Sequence, residues 1–209
     1  MKLYFIRHGE TDWNKERRLQ GQADIPLNEF GRHLAVETGK GLADIPLDLC
    51  ISSPLSRAKE TAELILTGRE VVFITDERIK EMGFGIYEGR CCGIEGWDLP
   101  DEFEKFFNDT ENFEAPEGGE DFAMLKKRTG EFLIELYGRE DLKDKSIMIS
   151  THGATLCALL NNIKGKPISE FWGSGVHKNC AVTEVDVSDG VPVILSENKV
   201  YYKDYVKDW

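Results

Sequence analysis

An arginine, a histidine and a glycine stand together at Arg7-His8-Gly9, directly after the apolar run Leu3-Tyr4-Phe5-Ile6, with Glu10 and Thr11 beyond. A neutral imidazole nitrogen is a competent nucleophile, and a guanidinium holds phosphoryl oxygens through paired N–H groups. The combination suits attack on a phosphate. Three residues alone describe a strand end with an incidental histidine equally well, because motifs this short recur by chance. The rest of the chain separates the two readings. Lys145-Ser146-Ile147-Met148-Ile149 leads into Ser150-Thr151-His152-Gly153, a second apolar run that ends in His-Gly. Cys50-Ile51-Ser52-Ser53-Pro54 leads to Arg57 at the head of a helix, and Lys80-Glu81-Met82-Gly83 sets a carboxylate in a glycine-rich turn. Two histidines, two arginines and a glutamate, each at a turn after an apolar segment, are the inventory for phosphoryl transfer through a phosphohistidine.

These side chains can meet only if their elements end at one edge of a sheet. The patterning predicts strands at 2–7, 49–52, 71–74, 147–150 and 181–187. The last returns through Ser188-Asp189-Gly190 into an antiparallel partner at 193–197 or beyond. Helices are predicted from Asn28 or Glu29 to Leu42, with Leu34, Ala35, Thr38 and Leu42 on one face, from Ser56 to Leu66, and from Ala154 to Leu160. Strands alternating with helices predict an α/β fold, a three-layer sandwich with a mostly parallel central sheet and helices on both faces. Such sheets bind ligands beyond the carboxyl ends of their strands. The stretch from Tyr87 to Gly119 breaks the rhythm. It is rich in Glu, Asp, Phe and Gly and carries Trp97, Phe103, Phe106, Phe107 and Phe113. Its composition fits a mobile amphipathic lid, a packed surface helix pair over a satellite core, or both.

The chain has 209 residues, enough to bury a substantial core in one domain, here taken as 1–209 with an insertion. No apolar run approaches membrane-spanning length, and Met1-Lys2 leads straight into the first strand without room for a signal peptide. Five cysteines, an odd number that includes the adjacent Cys91-Cys92, show no paired metal-ligand spacing. Reduced thiols in a cytoplasmic protein are expected, with Cys50, Cys157 and Cys180 as small core residues. The four histidines make no metal set: His33 falls within a helix and His177 in a loop, so a metal-independent enzyme is expected. A net charge of −12 argues against nucleic acid and anionic membrane as partners. Against that acidic background, Arg7, Lys15, Arg17, Arg18, Arg32 and Arg57 cluster early. A local positive pocket of that kind suits a small phosphorylated anion, while at least one of Lys15, Arg17 and Arg18 is expected to be only a solvated surface charge.

The motifs resemble those of the histidine phosphatase superfamily, in the branch that holds cofactor-dependent phosphoglycerate mutases and their phosphatase relatives. The resemblance covers nearly the whole chain. It rests on Arg7-His8-Gly9-Glu10-Thr11 with Trp13-Asn14, and on Leu19-Gln20-Gly21 with Asp24, Pro26-Leu27 and Gly31. Ser52-Ser53-Pro54-Leu55 with Arg57-Ala58 and Thr61 follows, then Glu81 with Gly85 and Glu88-Gly89. Pro116 with Gly118-Gly119-Glu120, and Thr151-His152-Gly153, complete it. The resemblance implies His8 as nucleophile, its other ring nitrogen donating to a backbone carbonyl and its neutral form favoured by neighbouring cations. It implies a phosphate pocket of Arg7, Arg57, Asn14 and His152, with the Gly153 N–H as a further donor. Glu81 becomes the candidate general acid and base, with Glu10 and Glu88 as rivals. Gln20, Gly21, Arg90 and Arg32 are expected to contact substrate, together with the aromatic residues of a cap at about 87–119.

Three functions fit. One is a phosphomonoesterase that needs no cofactor and hydrolyses a small phosphorylated metabolite. Another is a phosphoglycerate mutase, which would use 2,3-bisphosphoglycerate; the third is a non-catalytic module that binds phosphorylated ligands. In the family, mutases follow the Glu81 position with a tyrosine, further basic residues and later an arginine pair, and end in a long tail. Here the chain runs Phe84-Gly85-Ile86-Tyr87-Glu88-Gly89-Arg90-Cys91-Cys92 into an acidic stretch without an Arg-Arg pair. Those departures favour hydrolysis, and the intact set of His8, Arg7, Arg57, Glu81 and His152 speaks against a binding module. Relatives form monomers, dimers and tetramers, and a homodimer is within that range.

Overall fold

The structure, a computed structural model, describes residues 1–93, 95–173 and 175–206. Six strands form one sheet: β1 (Lys2–Arg7), β2 (Leu49–Ser52), β3 (Val72–Thr75), β4 (Ser146–Thr151), β5 (Val182–Ser188) and β6 (Val191–Lys199), in the order β3-β2-β4-β1-β5-β6. β3, β2, β4 and β1 run parallel, while β5 and β6 form the antiparallel hairpin at one edge. The expected α/β sandwich is therefore present, with a mixed sheet. Its two antiparallel strands are those predicted around Ser188-Asp189-Gly190.

Side chains alternate across a strand, and here both faces of the sheet are covered. Leu3, Phe5, Leu49, Ile51, Ile147 and Ile149 point to one face, where α5 (Phe122–Tyr137) and α6 (Gly153–Lys164) lie over them with Phe132, Leu133, Leu136, Leu156 and Leu159. Tyr4, Ile6, Cys50 and Met148 point to the other, against Leu34 and Ala35 of α2 (Glu29–Gly41) and Ala62 and Ile65 of α3 (Ser56–Ile65). Burial on both sides is what a parallel sheet requires. The consequence for function lies in the register. Arg7 is paired with Thr151, so β1 and β4 stop at the same level and His8 and His152 leave the sheet side by side.

α5 is an element the patterning did not yield. Its buried positions Phe122, Leu125, Thr129, Phe132, Leu133 and Leu136 keep helical spacing, and Asp121 caps it by accepting from the Met124 N–H at 2.7 Å. The stripe is interrupted in sequence by Lys126-Lys127-Arg128 and Gly130, which lowers the local helix signal.

The aromatic stretch 87–119 is not a helix pair. It consists of short 3₁₀ turns at Asp101–Glu104 and Thr110–Asn112 around a single-turn helix, Lys105–Asn108. Phe103, Phe106 and Phe113 form a third core with Phe84, Phe122 and Phe171. Trp172 Nε1 donates to the Phe106 carbonyl at 2.6 Å and Thr110 Oγ1 to that of Ile168 at 2.6 Å. Segments far apart in sequence thus hold these rings in place.

The turn after β1 passes hard against the first turn of α2. A β-carbon on Gly31 would lie 2.1 Å from the Glu10 carbonyl oxygen, and one on Gly9 would lie 2.6 Å from that of Gly31. Both obstacles are backbone, so the elements must move apart to admit a methyl group. Gly31→Ala is expected to destabilise the protein by about 1–3 kcal/mol, read as a lower urea midpoint at unchanged slope. An unchanged midpoint would mean that this contact relaxes at no cost.

Candidate active site

His8 is fixed before its ring is considered. Its N–H donates to the Thr151 carbonyl at 2.9 Å, and its own carbonyl accepts from Asn179 Nδ2 at 2.9 Å. The ring is 2% exposed, with Nδ1 2.7 Å from the Gly9 carbonyl oxygen. A carbonyl can only accept, so Nδ1 carries the hydrogen and Nε2 keeps its lone pair. Burial pushes the imidazolium well below its ordinary range, and the charges of Arg57 and Arg7 push in the same direction. The predicted neutral tautomer is the one the geometry holds. Burial is its main cause and the neighbouring cations add to it.

Arg57 begins α3 and is fully buried. It donates from Nη2 to the Gly21 carbonyl at 2.7 Å, from Nη1 to that of Ala23 at 2.8 Å, and from Nε to His152 Nδ1 at 3.2 Å. Three of a guanidinium's five N–H groups are used, leaving one on each terminal nitrogen. Arg7 Nη1 donates to the His177 carbonyl at 2.5 Å. Burial pulls both guanidinium groups down to about 10, against the opposing charge of Glu81.

His152 stands differently from expectation. Its Nδ1 accepts from Arg57, so Nε2 bears the hydrogen and donates to Ser53 Oγ at 2.7 Å. Burial, then Arg57 and His8, keep it neutral. Its ring lies 5.1 Å from that of His8, but both nitrogens are committed and the residue does not line the pocket. In this arrangement it orients Arg57.

Glu81 reaches across to α6. Oε1 accepts from the N–H groups of Met82 at 2.9 Å and Thr155 at 3.0 Å, while Oε2 accepts from the Ala154 N–H at 3.3 Å. The orphan N–H groups of a helix N-terminus favour a carboxylate there. Thr155 Oγ1 donates to the Lys80 carbonyl at 2.6 Å. A β-carbon on Gly153 would be 3.6 Å from both Arg7 Nε and Glu81 Oε2, so this glycine separates the cation from the acid.

One cavity of about 250 Å³ joins these groups. Arg7, His8, Asn14, Arg57 and Glu81 are among its polar lining residues. Leu19, Phe84, Phe106, Phe107, Trp172 and Val176, the last beside Gly153, are among its apolar ones. Asn14 Oδ1 accepts from the Thr11 N–H and hydroxyl, which leaves the amide nitrogen as its free end. Gln20 and Gly21 also line the cavity, although the Gly21 carbonyl belongs to Arg57. Arg90 is exposed, donates to the Asp98 carbonyl at 3.1 Å and is not among the residues that line the cavity. Arg18 does line it, tied to Glu16 Oε2 at 2.6 Å and to the Gly89 carbonyl at 2.8 Å. Arg32 lies outside the cavity, paired with Glu60 at 2.6 Å.

The rival carboxylates have other partners. Glu88 Oε1 accepts from the N–H groups of Gln22 at 2.8 Å and Phe84 at 3.2 Å, and Glu10 accepts from Asn28 at 2.9 Å. His33 meets Asp204 on the surface, and His177 is buried beside Thr183 and Glu197. Arg128, Ser53 and Trp172 were not singled out by sequence. Ser53 lay within a quoted motif, and Trp172 followed Phe171 as an aromatic pair outside the expected cap.

A model of the histidine phosphatase superfamily (branch 1) matches residues 3–200. A probable phosphoglycerate mutase, GpmB, from Salmonella choleraesuis is 31% identical over 198 residues, covering 90% of this chain and 86% of that protein. Among solved structures, YhfR of Bacillus stearothermophilus superposes with a TM-score of 0.87 at 34% identity, covering 95% of this chain and 97% of that one. Phosphoserine phosphatase from Entamoeba histolytica, in complex with 3-phosphoglyceric acid, gives a TM-score of 0.80 at 29% identity, covering 95% and 97%.

The buried histidines set a pH dependence. His8, His152 and His177 are all held below their ordinary values, first by burial. In the unfolded chain they take up protons near pH 6.5, so below that pH the unfolded state binds more protons. Their contribution to stability is complete above about pH 6.5 and is lost as pH falls towards the folded values, by up to about 1.4 kcal/mol per pH unit for each. Urea unfolding across that window should show the decline, and His8→Gln should remove one histidine's share. A flat profile for the unaltered protein would contradict the neutral assignment.

Proposed function

Because the chain belongs to the histidine phosphatase superfamily, branch 1, we propose that it is a phosphomonoesterase acting on a small phosphorylated metabolite through a phosphohistidine on His8. The observation that carries the proposal is the hydrogen bond from His8 Nδ1 to the Gly9 carbonyl, which leaves Nε2 as the ring nitrogen open to the cavity. Its lone pair forms the N–P bond as the ester P–O bond breaks. Glu81, in its protonated form, supplies the proton that turns the leaving oxygen into an alcohol. Water then attacks phosphorus, Glu81 takes the proton from that water, and the N–P bond breaks to return His8 and release phosphate. Arg7, Arg57 and Asn14 would hold the equatorial oxygens, where positioning and charge stabilisation do most of the catalysis.

Arg7 and Arg57 supply the positive charge at the reacting phosphate, so the proposed reaction runs without a metal ion. All five cysteines are free thiols, which supports a reducing compartment, the cytoplasm. The cavity's aromatic lining supports a substrate whose alcohol portion is apolar, because Phe84, Phe106, Phe107 and Trp172 belong to it. A second reading, the mutase, is favoured by the name of the Salmonella relative. A mutase must hold a phosphoglycerate carboxylate as well as phosphate, and the one further cation lining the cavity among the described residues is Arg18, already paired with Glu16.

The test is an assay with chelator present, supplying 3-phosphoglycerate with 2,3-bisphosphoglycerate beside a panel of metabolite and aryl monophosphates. Phosphate release without isomerisation is expected, with the highest kcat/KM for apolar esters. Rapid formation of 2-phosphoglycerate with little free phosphate would establish the mutase instead. His8→Ala should lower turnover on the order of 10⁴-fold or more; retained hydrolysis would remove the phosphohistidine. Glu81→Gln should lower kcat/KM for alkyl phosphates by about 10²–10⁴-fold and leave p-nitrophenyl phosphate, whose leaving group needs no proton, nearly unchanged. Equal losses on both would take the acid role from Glu81.

A further inference from the structure

Glu81 sits on a stretch of chain that no regular element holds. The 3₁₀ turn Glu77–Ile79 ends just before it, and residues 81–83 belong to no helix or strand. A catalytic group must keep its place to within a fraction of an ångström, so something other than a sheet ladder or a helix has to fix this backbone. The groups that do so come from Arg128 of α5 and from Glu120, just before its cap. Arg128 Nη1 donates to the carbonyls of Arg78 at 2.7 Å and Lys80 at 2.8 Å, and Nη2 donates to that of Glu81 itself at 3.0 Å. The other side of the same guanidinium grips Glu120, Nε to Oε1 at 2.8 Å and Nη2 to Oε2 at 2.8 Å. Glu120 Oε2 accepts in turn from the Gly83 N–H at 2.9 Å. The chain is therefore held on both sides of Glu81 by one ion pair, whose two side chains are 17% and 14% exposed.

The chemistry of the pair fits such a task. Five bonds use the full donor capacity of a guanidinium, and its rigid fork fixes three carbonyls and a carboxylate in one plane. Burial works against the Glu120 charge, yet Arg128 and the Gly83 N–H hold the carboxyl below its ordinary value, so Glu120 stays ionised through the neutral range. Neither side chain lines the cavity.

We propose that Arg128 and Glu120 form a clasp that sets the position of Glu81, which makes Arg128 a positioning residue for proton transfer at the leaving oxygen. The inference rests on the acid role of Glu81 proposed above. The experiment therefore runs Glu81→Gln alongside Arg128→Met, Arg128→Lys and Glu120→Gln, comparing kcat/KM for phenethyl phosphate, whose leaving alkoxide needs a proton, with that for p-nitrophenyl phosphate. A misplacement of about 1 Å can cost about 100-fold. Arg128→Met is expected to lose about 10–100-fold in kcat/KM on phenethyl phosphate with KM nearly constant, and less than about 3-fold in kcat/KM on p-nitrophenyl phosphate, where kcat and KM fall together.

With p-nitrophenyl phosphate the same variant should show a burst and accumulate acid-labile phosphoenzyme, because the water-activating step also needs Glu81 in place. Arg128→Lys retains the charge against Glu120 but not the fork, and should fall between Arg128→Met and the unaltered enzyme. If Arg128→Met does not fold by circular dichroism, Arg128→Lys and Glu120→Gln decide, with the same selective loss expected of both. Equal losses on the two substrates, or no loss, would overturn the clasp. If Glu81→Gln itself shows no leaving-group selectivity, the acid role fails first, and a selective loss in the Arg128 variants would then have to come from another acid.

Discussion

Arg7 and Arg57 are 4% and 0% exposed, and a charge taken out of water is expensive unless it is paired or hydrogen-bonded. Arg57 satisfies this with neutral partners, the carbonyls of Gly21 and Ala23 and the ring of His152. Neutral acceptors offset part of the desolvation and the charge of Glu81 opposes it, yet burial outweighs them and brings both guanidinium groups down to about 10. The rest of the pocket follows from these two buried cations. A protonated histidine beside two cations would add like-charge repulsion to burial, so His8 and His152 are neutral, and their tautomers are fixed by the Gly9 carbonyl and by Arg57. Under the proposed reaction, an arriving phosphate would meet two cations whose burial it would help to offset.

The two sides of the reaction are built differently. His8, the proposed nucleophile, stands at the end of β1, where its N–H donates to the Thr151 carbonyl and its carbonyl accepts from the Asn179 side chain. Precision there comes with the sheet. The carboxylate stands on irregular chain and obtains its place from α6, whose first N–H groups it caps, from Thr155, and from the Arg128–Glu120 pair. A helix end that would otherwise leave unsatisfied donors is thereby used to aim an acid at the same cavity that β1 and β4 open onto.

How much of this was legible in the chain follows from the same division. Continuous apolar runs, ending in His-Gly for β1 and β4 and in the Ser53-Pro54 turn for β2, placed these three strands and pointed Arg7, His8, Arg57 and His152 to one sheet edge. Gly9 and Gly31 were in the motifs, although their reason, two backbones in contact, is visible only in three dimensions. The functions of side chains that bond to distant backbone were not legible. Nothing in the order of residues says that Arg128 reaches the carbonyls of Arg78, Lys80 and Glu81, that His152 spends both nitrogens on Arg57 and Ser53, or that Arg90 turns outward while Arg18 faces in. α5 was missed although its apolar stripe was present, since charged residues and Gly130 sit within the stripe and conceal its period. The aromatic insertion was recognised by composition, but its packing depends on Phe122, Phe171 and Trp172, which lie outside it.

The presence of both cationic and aromatic residues in the cavity lining bears on selectivity under the proposed reaction. The protein carries a net charge of −12, so a multiply charged metabolite is repelled at long range and gains only where buried cations face it directly. A phosphate gains at Arg7 and Arg57. A second anionic group on the same molecule would lie against Phe84, Phe106 and Trp172, losing water without acquiring a partner, and the nearby Arg18 is already satisfied by Glu16 and the Gly89 carbonyl. Unpaired burial of a carboxylate costs far more than the loss of one apolar contact. Under the proposed reaction, selection by such a site would therefore be mainly rejection of a second acidic group, with little discrimination among rings and alkyl groups.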